Sequence, residues 1–178
     1  MQRRPLLCVL PLLASAALVG AQEAPRVESW LVVPGLDERG RPPYNPDAVW
    51  SRHLYERGSA VPIEGEPIGG TQREASWERR ESSEAGGLSG GQGYAFGELL
   101  LGAEQDGVWL ARLSGASRLW VNGAGFVGDV YGNDSGPVPV ALVEGSHQVW
   151  VSGSRGGFEL SFEPPAGALA FGRDTTMP

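Results

Sequence analysis

The stretch Gly87-Leu88-Ser89-Gly90-Gly91 holds residue types that could do chemistry. It matches the G-x-S-x-G pattern, in which a serine on a sharp strand-to-helix turn attacks a carbonyl. Asp129 and His147 follow in the order Ser, Asp, His. In that arrangement Ser89 would be the nucleophile, His147 its base and Asp129 the group that orients the base. The surroundings argue against it. Ser89 sits in SSEAGGLSGGQG, residues 82–93, with no apolar strand before it and no helical period after it. A chain with 27 Gly produces such a match by chance. The tract reads instead as a flexible hairpin loop.

Other groupings are weaker still. His53 and His147 are the only histidines, and neither has partners at metal-ligand spacing, so both read as structural. Asp129-Val130-Tyr131-Gly132-Asn133-Asp134-Ser135 clusters oxygen ligands of the kind calcium takes, but the spacing is not that of a helix–loop–helix calcium site. The same residue types form ordinary turns. Glu78, Glu81 and Glu84 lie in a charged stretch that reads as a solvated face rather than a glycosidase pair. No cofactor and no metal is expected.

The tryptophans admit two readings. Trp109 lies between Val108 and Leu110, Trp120 between Leu119 and Val121, and Trp150 between Val149 and Val151. If the aliphatic residues face inward, all three indoles point to the opposite face of their strands. That face is then either a second buried layer or an exposed aromatic platform able to stack on sugar rings. Ligand contact, if there is any, is expected at Trp120, Asn122, Asp129, Tyr131, Trp150 and Arg155. Asp129 and Arg155 are expected to pair and to fix the loop between their strands.

The elements that must position these groups are strands. From Val108 to Glu163 short apolar runs alternate with Gly, Asn, Asp and Ser. Strands are expected at Trp30–Val33, Tyr94–Leu101, Val108–Leu113, Ser117–Val121, Gly128–Tyr131, Val138–Leu142, His147–Ser152 and Phe158–Phe162, with an edge strand around Trp77. Asn122-Gly123 tolerates the positive φ that a two-residue type I′ hairpin needs. One short helix is expected over 45–58, with Asn45 as cap, Pro46 in the first turn and Gly58 as stop. Val49, Trp50 and Leu54 share one face of it. Without βαβ alternation, the fold class is all-β: an antiparallel β-sandwich with one short helix.

Residues 1–21 have the form of a secretory signal peptide: Arg3 and Arg4, an apolar run from Leu6 to Val19, then small residues before Gln22. The run is about 14 residues, short of the ~18–20 that span a bilayer. The domain is then residues 22–165, and residues 166–178 read as a C-terminal tail or linker. Cys8 leaves with the leader, so the exported chain has no thiol or disulfide chemistry. Losing Arg3 and Arg4 takes the net charge from −7 to about −9, which disfavours nucleic acid and anionic membrane as partners. Location is expected to be periplasmic or extracellular.

Two resemblances rest on named residues. Arg118-Leu119-Trp120-Val121-Asn122-Gly123, Gly128-Asp129, Val138-Pro139-Val140, Leu142-Val143-Glu144-Gly145 and Val149-Trp150-Val151 resemble the galactose-binding-like jelly-roll domains attached to glycoside hydrolases of the β-galactosidase type. His147 or Gln148 stands where that family usually has Asn. Trp30 to Gly35, Val121 to Tyr131, Arg155-Gly156 and Asp174 to Pro178 are similar to the N-terminal region of large secreted hydrolases of planctomycete-like bacteria, peptidases or esterases of the prolyl-oligopeptidase type. These resemblances imply a non-catalytic exported accessory or binding module, with a hydrolase catalytic domain or a glycan as partner. The catalytic residues of such hydrolases have no counterpart here. A stand-alone carbohydrate-binding module and a small serine hydrolase using Ser89 stay as alternatives.

Overall fold

A computed structural model describes residues 23–34, 46–55, 60–68, 75–129, 131, 136–154 and 156–166. The expected leader over 1–21, Asn45, Gly58, Val130, residues 132–135, Arg155 and the residues beyond 166 lie outside the described residues.

Among the described residues, twelve strands form three antiparallel sheets. In chain order they are β1 (Ser29–Pro34), β2 (Pro67–Ile68), β3 (Ala75–Ser76), β4 (Glu78–Glu81), β5 (Leu88–Ser89) and β6 (Gln92–Leu101). There follow β7 (Gly107–Ser114), β8 (Arg118–Val121), β9 (Ala124–Val127), β10 (Val138–Leu142), β11 (Gly145–Ser152) and β12 (Gly157–Glu163). The large sheet has the order β4-β1-β6-β11-β8-β9 and faces a smaller one, β10-β7-β12-β5; β2 and β3 pair separately. The architecture is the antiparallel β-sandwich expected from the turn spacing.

The expected Asn-Gly turn joins β8 to β9. Asn122 has φ 49° and Gly123 φ 78°, and Val121 lies opposite Ala124 across a two-residue loop. Asn carries positive φ at low cost because its short polar side chain bonds locally. The strand pattern differs on either side of this turn. Ala124–Val127 forms β9, whereas the described residues of the strand expected over Gly128–Tyr131 contribute an isolated bridge between Asp129 and Ser114.

The space between the two sheets is filled from both inner faces by Trp30, Val32, Leu99, Trp109, Leu113, Leu119, Val121, Val149, Val151 and the Phe158/Leu160/Phe162 series, among others. Here the expected phase of β7 is wrong. Trp109, Ala111 and Leu113 are buried, while Val108 and Leu110 are half-buried on the outer face. Trp109 lies opposite Val140, and Leu113 opposite Leu160, both inward residues; cross-strand partners must share a face, and this fixes the phase. The Trp109 indole N–H donates to the Gln105 carbonyl at 2.8 Å, satisfying its one polar atom.

For β8 and β11 the expected phase holds, and the opposite face is a second buried layer. Leu31, Val33, Phe96, Trp120 and Trp150 project from the outer face of the large sheet and pack with Val49, Leu54, Ile68, Ala75 and Trp77. Strands buried on both faces read as continuous apolar runs, which is why Trp30-Leu31-Val32-Val33 and Val149-Trp150-Val151 lack polar alternation. The cover consists of the β2–β3 pair, Trp77 and a helical segment. That segment begins as α1 (Pro46–Val49) and widens into a π-helical turn over Trp50–Leu54, closed by Tyr55 N–H donating to Trp50 O at 2.9 Å. No described helix is long and apolar enough to cross a membrane.

The Gly/Ser tract expected as a flexible loop is instead docked. Gly86, Gly87 and Leu88 are buried, and β5 pairs with β12. A Cβ on Gly87 would fall 1.8 Å from the Phe158 carbonyl oxygen, so only glycine permits this backbone-to-backbone approach.

Candidate functional site

Ser89 ends β5 at the edge of the smaller sheet, opposite Gly157 of β12, and is exposed. Beside it opens a groove of about 460 Å³. Leu88 and Phe158 line it, Gly115, Gly156 and Gly157 contribute backbone, and the polar side chains of Ser83, Ser89, Ser114 and Glu159 surround it. The concavity follows from the glycines. Gly115 and Gly157 have φ of 76° and 116°. A Cβ on Gly115 would meet the Gly157 oxygen at 2.4 Å, and one on Gly157 would meet the Leu88 oxygen at 2.5 Å. Three backbones converge with no side chains between them.

The rim is held by local hydrogen bonds. Gly87 N–H donates to Ser83 Oγ at 3.2 Å, Gly157 N–H to Ser154 Oγ at 3.0 Å, and an Arg26 guanidinium N–H to the Ser83 carbonyl at 3.2 Å. Asp129 is buried next to this rim, its carbonyl accepting from Gly115 N–H at 2.9 Å. Ser89, Gly157, Gly115 and Asp129 therefore follow one another around one end of the sandwich. The expected partner of Asp129, Arg155, lies outside the described residues.

His147 does not join them. It is five residues from Ser152, the β11 residue whose carbonyl accepts from Ser117 at this end. Five residues of strand separate it from the groove by roughly 16 Å, on the other sheet. Its ring is buried and occupied. Nε2–H donates to the Val143 carbonyl at 2.6 Å, which leaves Nδ1 as acceptor for the Asn122 side-chain amide at 2.7 Å. Asn122 Oδ1 accepts from Gln148 N–H at 3.0 Å, and Asn122 N–H donates to the Gln148 carbonyl at 2.9 Å. Asn122 thus clasps the hairpin to β11.

His53 is not among the residues lining the groove; it is buried in the outer layer with ring centroids 5.5 Å from Trp77 and 5.4 Å from Trp150. Its Nδ1–H donates to the Ala60 carbonyl at 2.6 Å. Burial holds its pKa below 6.5, helped by the Arg52 charge and only partly opposed by the Ala60 carbonyl and Glu66.

Among the described residues, then, Ser89 has no histidine base. The described residues lining the groove present hydroxyls, glycine backbone and one carboxylate, Glu159, a set suited to hydrogen-bonding a neutral polar ligand. No group of three or more His, Cys, Asp or Glu that could hold a metal occurs among the described residues.

The other ligand candidates scatter. Trp120 and Trp150 are 7% and 2% exposed within the second layer, so neither offers an open ring face. Trp50, packed on Trp120 at 5.9 Å, is the more open indole, 37% exposed. Tyr131 is 82% exposed. Ser83, Ser114 and Glu159 were not legible as site residues: each is an ordinary polar residue in a turn or on the outer face of a strand, and only strand pairing gathers them. Comparison with known protein families, with curated proteins and with solved structures found no match.

Proposed function

We propose that this chain is a non-catalytic, exported β-sandwich accessory or binding module of the galactose-binding-like jelly-roll type. On this reading residues 1–21 are a removable leader, and the sandwich is the N-terminal part of a secreted hydrolase of peptidase or esterase type. The observation that carries the non-catalytic reading is the separation of Ser89 from both histidines, each of which is buried in a structural role. A serine hydroxyl without a base is a poor nucleophile. The alternative, a stand-alone carbohydrate-binding module, is favoured by the glycine-floored groove with its hydroxyls and Glu159.

Capture of the native exported protein from producing cells tests the first reading: it predicts a species longer than this chain that carries hydrolase activity. Calorimetric titration with neutral polysaccharides tests the alternative, with the Glu159→Gln and Ser114→Val variants expected to weaken binding at least tenfold. Failure to bind any polysaccharide removes it. Esterase or peptidase activity lost in Ser89→Ala but retained in Glu159→Gln would overturn the non-catalytic reading.

A further inference from the structure

Among the described residues, the large sheet ends in two edge strands of opposite character. β4 consists of Glu78-Arg79-Arg80-Glu81, all exposed and charged, a composition that blocks edge-to-edge pairing. On the smaller sheet β10 carries an exposed Pro139, and β5 is only two residues long. β9, Ala124-Gly125-Phe126-Val127, has no charge and no proline, and Val127 is 82% exposed.

The direction of its backbone groups follows from the hairpin. In a two-residue I′ hairpin the residues flanking the turn, Val121 and Ala124, form a hydrogen-bonded pair, and such pairs recur every second residue. Leu119 with Phe126 is the next, and Gly128 N–H donating to Ser117 O at 2.9 Å continues the series. The even-numbered residues of β9 therefore bond β8. The N–H and C=O groups of Gly125 and Val127 point to the open edge.

We infer that β9 is a self-pairing edge: two copies of the chain join antiparallel about a two-fold axis at Phe126, making one continuous twelve-stranded sheet. This register places Gly125 opposite the partner copy's outward-pointing 127 position, so all four open groups on each strand's edge are used in reciprocal hydrogen bonds. It also keeps inner face with inner face. Phe126, half-buried against the core, meets its own copy on that side. On the outer face Val127 lies across from a position with no side chain. There the Trp120 indole covers Gly125 closely enough that a Cβ would sit 3.0 Å from Nε1. Val127 then packs on the indole edge. The acidic charge of the chain is kept off this edge, since Arg118 is the one charged residue of β8 and β9.

Sedimentation equilibrium of the full chain tests the inference. The native chain is expected to dimerise. Val127→Pro, which removes an N–H that no intrachain strand uses, and Val127→Glu, which sets like charges across the axis, are each expected to weaken the dimer at least tenfold with unchanged circular dichroism. Leu100→Glu, at an 81% exposed position away from the edge, should leave it intact. In a Cys8→Ser background, Phe126→Cys should form an intermolecular disulfide and Val127→Cys should not. A native chain monomeric up to millimolar concentration overturns the inference. So does dimerisation indifferent to both Val127 variants, or an intermolecular disulfide formed by Val127→Cys and not by Phe126→Cys. A monomeric chain that captures only foreign extended peptides at β9 would likewise overturn it.

Discussion

Trp150→Ala asks whether the outer aromatic layer is a true core. The indole is 2% exposed, with ring centroids 4.9 Å from Phe96, 5.4 Å from His53 and 5.9 Å from Trp77. Phe96 is its direct cross-strand partner, so one wall of the site is the rigid sheet and cannot collapse into the space vacated. Truncating a buried tryptophan costs about 3–5 kcal/mol where the surroundings relax only partly. Against a total of about 5–15 kcal/mol for a domain, that leaves a marginal fold. For a domain near this size it lowers the melting midpoint by about 6–20 °C. Urea unfolding followed by far-ultraviolet circular dichroism gives both the midpoint and the slope. If the cover unfolds with the sandwich, the midpoint falls and the slope stays; if it detaches first in the variant, the slope falls too. A loss below about 1 kcal/mol, the size expected of a surface change, would refute the claim that this layer is cooperative core.

The clasp at the hairpin gives a second expectation: Asn122→Ala loses two side-chain hydrogen bonds and puts a Cβ-bearing apolar residue at positive φ, together about 2–4 kcal/mol by thermal or urea unfolding. Asn122→Gly loses the same bonds without the backbone strain and should be the milder variant. His53 supplies a pH dependence. Its folded pKa is depressed, so above 6.5 neither state holds the proton and its ionisation contributes nothing. As pH falls below 6.5 the unfolded chain binds the proton first, and stability is lost until the folded pKa is passed. His53→Phe should flatten the stability profile between neutral pH and the acid limb; an unchanged profile would show that the ring titrates normally.

Much of the sandwich was legible because strand signals are local. Alternation in Val138–Leu142 and Phe158–Phe162, and the Asn122-Gly123 turn, specify themselves through period and φ. The helix was visible from Pro46 and its apolar positions, but its passage into a π-turn was not, because a register change of one hydrogen bond leaves no composition signal. The groove was least legible. Ser89 stands out for a motif it does not serve, while Glu159 and Ser114 meet only because β12 pairs with β7 at that register.

The sequence by itself determined the class of the fold and the turns that need glycine or asparagine. Tertiary structure decided three things that local pattern leaves degenerate. It chose the phase of β7, turning Trp109 inward, because cross-strand partners must share a face. It turned the Gly/Ser tract from a loop into a docked strand, because Gly87 can lie against β12 backbone where any side chain would collide. It assigned Trp120 and Trp150 to a second core, because α1 and its π-turn, Trp77 and the β2–β3 pair close over them, and no window of sequence around either tryptophan contains those neighbours.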